Sequence, residues 1–173
     1  IYSICKRFDK LFAVPYLDDY VFIANDISYA NHAFEFSCDL IKRLGLCIAK
    51  DKCIPPTKCL TWLGVRFDCI KFHMSIPTQK INKALHFVRL VLSKTHISFR
   101  QFNSLLGLIN FVSKTTSPAR LFVGRLLQEY RLQLRNQESS FRVTDLAAAD
   151  LHWFVRFLAR ANGVCMICLL YTS

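Results

Sequence analysis

The stretch FAVPYLDDYVFIAND, Phe12 to Asp26, places two adjacent aspartates, Asp18 and Asp19, between two runs of apolar and aromatic residues. Runs rich in β-branched and aromatic side chains, with only LDD between them, predict a β-hairpin built from the strands LFAVPY and YVFIA. Two aspartates in mid-strand would point to opposite faces, whereas at a hairpin tip both carboxylates can project toward one spot. The sequence therefore predicts a pair of carboxylates at the tip of a tight turn.

The Asp-Asp pair is an unfavourable choice for a two-residue turn, because such turns favour Asn-Gly and other glycine-containing pairs. An unfavourable turn indicates a function. Two neighbouring carboxylates repel each other unless a cation lies between them, and hard oxygen ligands of this kind suit Mg²⁺. A pair of such ions can activate a 3′ hydroxyl and stabilise a leaving phosphate in nucleotidyl transfer. The alternative is an ordinary solvated loop.

Composition and charge narrow the class of protein. The 173 residues are 53% apolar and 13% aromatic, which excludes a disordered tail, and no apolar run is long enough for a membrane span. The formal net charge is +11, from 23 Lys and Arg against 12 Asp and Glu, so the folded chain carries a field that attracts polyanions. We expect nucleic acid as the partner and no membrane, an anionic membrane surface being the weaker alternative.

The eight cysteines come without a secretory signal or a regular framework, so we expect reduced thiols in an intracellular protein, in the cytoplasm or the nucleus. Cys165 and Cys168 have the spacing of a metal or redox pair but lack a second pair at a plausible distance, and we predict no such role for them. The five histidines likewise show no spacing typical of a metal site.

The first part of the chain mixes predicted strands and helices. Ile1 to Lys10 has the pattern of a helix end, and the helix after the hairpin has Ser28 as its predicted N-cap and Gly45 as its C-terminal stop. A strand, LCIA, is predicted directly after this helix. The stretch CLTWLGVRFDCIKFHMSIP then predicts a strand, a sharp bend and a return strand.

From Pro77 onward the apolar period becomes helical. One stripe contains Ile81, Leu85, Val88 and Leu92. A second follows the predicted N-cap Ser98 and contains Phe102, Leu105, Leu106, Ile109 and Val112. Two further helices are predicted from Pro118 to about Leu134 and from Asp145 to about Ala161. The sequence thus predicts an α+β chain with a sheet-containing part before Pro77 and a helical part after it.

Several segments resemble the reverse transcriptases of retrotransposons, and among these the DIRS-like elements most of all. YLDDYVFIA resembles the Y-x-D-D motif at the hairpin tip of the polymerase palm. LGLCIAKDKC, WLGVRFD, SIPTQKI and FRQFNSLLGLINFVSKTTSPAR resemble, in the right order, the remaining palm segments and the first thumb helices, and DLHWFVRFLARANGV resembles the connection toward a ribonuclease H domain. The resemblance covers roughly Ile1 to Gly163.

This resemblance implies a partial polymerase palm over residues 1–76, thumb-like helices over 77–137 and a connection over 138–164, and it leaves 165–173 unassigned. It implies an RNA-directed DNA polymerase that adds dNTPs to a primer 3′ end on an RNA or DNA template with two Mg²⁺ ions, Mn²⁺ being an alternative. The family's third aspartate and its fingers have no counterpart here, so we expect a fragment that is inactive alone. Its missing partners would be the N-terminal fingers and palm and the C-terminal ribonuclease H domain of a parent polyprotein.

The resemblance also implies roles for particular residues. Asp18 and Asp19 would bind the metal ions, and Lys52 would donate a proton to the departing pyrophosphate. Residues matched to nucleic-acid contacts lie beside the primer, in the primer grip and on the polar sides of the thumb helices: Tyr16, Trp62, Leu63, Gly64, Lys80, Lys83, Arg89, Arg100 and Lys114. The alternatives are a non-catalytic nucleic-acid-binding remnant and a helical protein-interaction module.

Overall fold

The computed structural model describes residues 11–49, 51, 53–163 and 165–166, which divide between Lys58 and Cys59 into two compact units. Within these residues the first unit contains a β-hairpin and one α-helix, and the second contains four α-helices with small antiparallel sheets. The chain therefore has a mixed α+β fold, as predicted. No helix among the described residues is long and apolar enough to span a bilayer.

The first unit is a two-stranded ribbon covered on one face by a helix. Strands β1 (Leu11–Tyr16) and β2 (Asp19–Ala24) pair antiparallel and are joined by the two-residue turn Leu17–Asp18. Helix α1 (Ile27–Arg43) packs against the ribbon. The small core between them contains Ala13 and Ala33, with half-buried Phe22, Ala24 and Tyr29 around it.

The sequence prediction for α1 is wrong at its N-terminus and right at its C-terminus. The N-cap is Asp26 and not Ser28, because the Ser28 N–H donates to Asp26 Oδ1 at 2.7 Å, which leaves Ser28 inside the first turn. The predicted stop at Gly45 is confirmed. Its φ of +75° suits glycine, and the N–H groups of Gly45 and Leu46 donate to the carbonyls of Lys42 and Ile41.

The predicted strand LCIA is wrong, since residues 46–49 form neither helix nor strand. A strand requires a ladder of hydrogen bonds with a neighbour, and over the described part of the first unit β1 and β2 pair only with each other. The apolar run alone could not reveal that missing neighbour. The predicted helix end at Ile1 to Lys10 lies outside the described residues.

The sheet of the second unit has four strands where the sequence predicted a strand, one bend and a return strand. Strands β3 (Cys59–Trp62), β4 (Val65–Asp68), β5 (His73–Ser75) and β8 (Cys165–Met166) follow one another in that order, all antiparallel. The additional turn forms because the Asp68 carboxylate accepts the N–H groups of Ile70 and Lys71, both at 3.0 Å. These bonds, that of Lys71 first, lower the pKa of Asp68.

The four predicted helices after Pro77 are confirmed: α2 (Thr78–Leu92), α3 (Phe99–Val112), α4 (Ala119–Arg135) and α5 (Asp145–Ala161). Ser98 caps α3 as predicted, by accepting the Gln101 N–H. The whole predicted stripe of α3 is buried, and on α2 only Leu92 lies at the edge of the core. A 3-10 turn, Ser113–Thr115, follows α3.

The short ribbon of β6 (His96–Ile97) and β7 (Phe141–Arg142) ties the loops between these helices together. Phe141 is fully buried and stacks on Phe102, with ring centroids 3.7 Å apart. The Gln133 amide donates to the Arg142 carbonyl at 3.0 Å and accepts the Arg142 N–H at 2.7 Å. The linker after α4 is therefore fixed by both an aromatic and a polar contact.

Asn162 forms a similar two-sided clamp at the end of α5. Its Oδ1 accepts the Ile76 N–H and its Nδ2 donates to the Ile76 carbonyl, both at 2.8 Å. The Thr115 hydroxyl donates to the same Oδ1 at 3.4 Å. One side chain thus joins the end of α5 to the backbone just before α2 and to the 3-10 turn.

Helices α4 and α5 are joined by a bidentate ion pair between Arg125 and Asp150. Arg125 Nε donates to Asp150 Oδ2 at 3.0 Å, and Nη2 donates to Oδ1. The Asp150 side chain is 3% exposed and the Arg125 side chain 60% exposed. The carboxylate has little access to water and therefore needs the ion pair more than the guanidinium group does. The hydrogen bond and charge of Asp150 raise the pKa of Arg125.

We expect Arg125→Met to lower the free energy of unfolding by about 2 kcal/mol, because it leaves the buried Asp150 carboxylate without its ion-pair partner and with little access to water. Urea unfolding followed by tryptophan fluorescence measures the change. Arg120→Met, at an exposed position of the same helix, is the matched control and should change stability by less than about 0.5 kcal/mol. Equal effects of the two substitutions would contradict a structural role for the ion pair.

Candidate metal and nucleic-acid sites

The tip of the first hairpin is exposed and its backbone is strained. Leu17 has a φ of +52°, in the left-handed region that a leucine rarely adopts, and its side chain is 84% exposed. Such a conformation costs a non-glycine residue about 1–2 kcal/mol. Leu17 gains no burial in return, so the turn is held by the pairing of the strands on either side.

Asp18 and Asp19 occupy different parts of this tip. The sequence predicted LDD as the turn, but Asp19 is the first residue of β2 and pairs with Tyr16, which leaves Leu17 and Asp18 as the turn. Residues directly opposite each other in an antiparallel pair share a face, so Asp19 lies on the same face of the ribbon as Tyr16. Both aspartates are exposed.

The donor set at the tip consists of these two carboxylates. Among the residues that the structure describes, no group of three or more His, Cys, Asp or Glu side chains lies close enough to hold a metal ion. Mg²⁺ commonly binds proteins through one or two carboxylates and completes its shell with waters and substrate phosphates. Asp18 and Asp19 fit that mode of binding. Lys52, the predicted proton donor, lies outside the described residues.

In the second unit, three of the predicted nucleic-acid contacts gather around one aromatic ring, that of Phe111. Lys80 Nζ lies 4.5 Å and Lys114 Nζ 5.5 Å from the ring centroid, both within the range of cation–π attraction. Gly64 approaches the same place, since a side chain there would collide with the Lys80 ammonium group and lie 3.2 Å from Phe111 Cζ. We call Gly64, Lys80, Phe111 and Lys114 the basic cluster.

The β3–β4 turn brings Gly64 to this cluster. Leu63 and Gly64 form a two-residue turn with φ values of +49° and +77°, the sign that a type I′ hairpin needs at both positions. At Gly64 the absence of a side chain serves both the positive φ and the close approach of Lys80. Leu63 is exposed and Trp62 is half-buried at the base of the turn.

The remaining predicted cations are spread over other surfaces. Lys83 is exposed three residues after Lys80 on α2 and so neighbours it on the helix surface. Arg89 is exposed about 180° around the same helix from Lys80. Arg100 lies in the first turn of α3, about 16 Å along the helix from Phe111. The structure therefore gathers Lys80 and Lys114 and separates them from Arg89 and Arg100.

Phe111 is the member of the basic cluster that the sequence analysis missed. It lies between Ile109 and Val112 of the buried stripe of α3 without belonging to that stripe, and it is half-buried at the edge of the core. The available signal was its position three residues before Lys114, a spacing that brings side chains together at the end of a helix. An aromatic residue at the edge of a core stripe and near a lysine is a common arrangement, so the signal is weak.

A scan against protein-family models finds none that matches this chain, and a search of curated proteins finds no match either. The assignment of function therefore rests on the residues and their geometry.

We expect Leu17→Gly to stabilise the hairpin by about 1 kcal/mol, because glycine adopts a positive φ without the steric cost that leucine incurs. Amide hydrogen exchange within β1 and β2 measures this, and protection should rise about fivefold. The control is Leu44→Gly, at an exposed leucine whose φ is −77°, where protection should not rise. Equal or lower protection in Leu17→Gly would show that the turn is not strained.

Proposed function

We propose that this chain is part of an RNA-directed DNA polymerase of a retroelement, with the first hairpin carrying part of the catalytic site. The observation that carries the proposal is the exposed tip Tyr16-Leu17-Asp18-Asp19, which presents one carboxylate in the two-residue turn and a second on the first residue of β2. The left-handed backbone of the exposed Leu17 is an outlier of the kind that motivates a functional hypothesis. The resemblance of YLDDYVFIA to the Y-x-D-D motif supports the same assignment.

In this proposal Asp18 and Asp19 hold divalent cations, Mg²⁺ in the cell. Bound there, Mg²⁺ supplies Lewis-acid stabilisation of the primer hydroxyl and the triphosphate during nucleotidyl transfer. Asp18, in the turn, and Asp19, at the start of β2, provide the oxygen ligands, and Tyr16 lies beside Asp19 to contact the primer and template. Lys52 is proposed as the proton donor to the leaving pyrophosphate.

The proposed reaction needs more than these residues. A third carboxylate and a nucleotide-binding fingers region must come from another polypeptide segment, so we expect primer extension only from a longer parent protein. Within the chain we assign the hairpin, α1 and the β3–β5 strands to the palm, α2 to α4 to the thumb, and α5 to a connection toward a ribonuclease H domain. Template, primer and dNTP are the proposed partners.

The metal site is testable on the chain itself with Mn²⁺ as a paramagnetic probe. We expect substoichiometric Mn²⁺ to broaden the backbone resonances of Tyr16 to Tyr20 selectively, and excess Mg²⁺ to reverse the broadening. Asp18→Asn and Asp19→Asn should each raise the Mn²⁺ concentration needed for the same broadening by about tenfold, since each removes an ionised ligand.

Asp39→Asn is the matched control, because Asp39 is an exposed carboxylate of the same unit that lies on α1, where it pairs with Arg43. It should leave the Mn²⁺ titration unchanged. Broadening spread over all exposed carboxylates, or insensitive to Asp18→Asn, would rule out a metal site at the hairpin. In the longer parent protein, Asp18→Asn should abolish primer extension. Retained extension would reject the catalytic assignment.

A second candidate function is a nucleic-acid-binding remnant without catalysis, and the basic cluster favours it. Lys80 and Lys114 flank one ring and are exposed, which allows phosphate contacts on a surface that already holds their ammonium groups in place. Contacts of this kind give affinity that depends on salt and not on sequence. Binding would persist in this candidate even when Asp18 and Asp19 are replaced.

We expect Lys80→Ala and Lys114→Ala each to weaken binding to a primer–template duplex and to reduce the slope of log affinity against log salt by about 1. Fluorescence anisotropy over a series of salt concentrations measures both quantities. Arg89→Ala on the far side of α2 is the control for a general loss of charge, and its effect should be smaller than that of Lys80→Ala. Equal effects would indicate non-specific attraction by net charge, and salt-independent binding would favour a protein-interaction module instead.

A further inference from the structure

Two cysteines of the first unit lie in contact. Cys38, on α1, and Cys53, in the segment that follows this helix, have their Sγ atoms 3.7 Å apart, and both are half-buried. Both are thiols, and either can donate the hydrogen bond between them. A disulfide bond is about 2.05 Å long. The two sulfurs therefore need to approach each other by less than about 2 Å to bond.

The fold of the first unit produces this contact. The glycine stop at Gly45 ends α1 and turns the chain, so that a residue fifteen positions after Cys38 returns to the helix. Cys47 is closer in sequence to both cysteines than they are to each other, and it is exposed. In an unfolded chain the shorter loops through Cys47 would close more readily. The fold thus brings together two cysteines that are farther apart in sequence than either is from Cys47.

We propose that Cys38 and Cys53 form a reversible disulfide by exchange with a small-molecule disulfide such as oxidised glutathione. One protein thiolate attacks a sulfur of the reagent, forms a mixed disulfide and releases one thiolate of the reagent. The second cysteine then attacks the protein-bound sulfur, the protein disulfide forms, and the second reagent thiolate leaves. The two thiol protons pass to the two released thiolates, so one reagent disulfide is reduced for each protein disulfide formed.

The surroundings of Cys38 influence the rate of this exchange. Burial raises the pKa of the Cys38 thiol, and its hydrogen bond with Cys53 and the nearby Cys53 group raise it further, while the Lys42 ammonium group lowers it. Because the thiolate is the reactive form, a raised pKa slows attack by Cys38.

A Cys38–Cys53 disulfide would tether the segment after α1 to the helix. The cross-link would hold Cys53 against the helix and close a covalent loop from Cys38 to Cys53. This inference does not depend on the polymerase proposal, because the contact between the two sulfurs exists whatever the chain does.

Peptide mapping tests the proposal. The folded chain is incubated with oxidised glutathione, free thiols are blocked, and the chain is digested with trypsin. Cys38, Cys47 and Cys53 then fall in separate peptides, residues 11–42, 44–50 and 53–58. We expect the 11–42 peptide linked to the 53–58 peptide, lighter than their sum by two hydrogen atoms, in excess over links to the 44–50 peptide by on the order of tenfold. A reducing agent should restore both free peptides.

Two variants and one condition serve as controls. Cys47→Ser should leave the cross-link unchanged, and Cys53→Ser should abolish it and leave Cys38 as a thiol or a mixed disulfide. In urea the excess over the links through Cys47 should disappear. Preferential linkage through Cys47 in the folded chain, or separate glutathione adducts on Cys38 and Cys53 with no bond between them, would overturn the proposal.

Discussion

A two-residue turn fits two strands of a right-handed twisted ribbon best when its backbone adopts a positive φ, and the hairpin of each unit has such a turn. In the β3–β4 turn both residues have a positive φ, which Gly64 adopts without a steric cost and Leu63 adopts at a cost. In the β1–β2 turn Leu17 adopts its positive φ at a cost of about 1–2 kcal/mol, and Asp18 completes the turn. Asp18 and Gly64 therefore lie in turns whose backbone is restricted by the paired strands on either side.

The two hairpins have unequal support. Among the described residues of the first unit, α1 covers one face of the ribbon, and the apolar side chains of Phe12, Val14 and Ile23 on the opposite face are exposed. Two-stranded ribbons are marginally stable in water. The second sheet belongs to a unit whose helices bury a continuous aromatic and aliphatic core and whose loops are fixed by Asn162 and Gln133.

The helical half was predicted correctly because its information is local. The stripe from Phe102 to Val112 and its cap at Ser98 are set by spacing within one element. The prediction was wrong where the outcome depended on a residue outside the segment. Residues 46–49 form no strand because no described strand of the first unit pairs with them. Asp26, two residues before Ser28, is the N-cap of α1. At the hairpin tip, residue types predicted the turn, but only the strand register showed that Asp19 belongs to β2.

The net charge of +11 predicted a polyanionic partner but could not show which cations act together. Lys80 and Lys114 belong to different elements, and they meet only because both lie against Phe111, so their nitrogens are about 10 Å apart or less, no more than one Debye length at 0.1 M salt. Attraction to the ring, about 0.5–1 kcal/mol for each exposed ammonium group, offsets their mutual repulsion. A phosphate placed between the two ammonium groups would offset their repulsion and be attracted by both charges. A phosphate at an isolated surface lysine is attracted by only one charge, so the pairing of two lysines across the Phe111 ring distinguishes the basic cluster from the general positive surface.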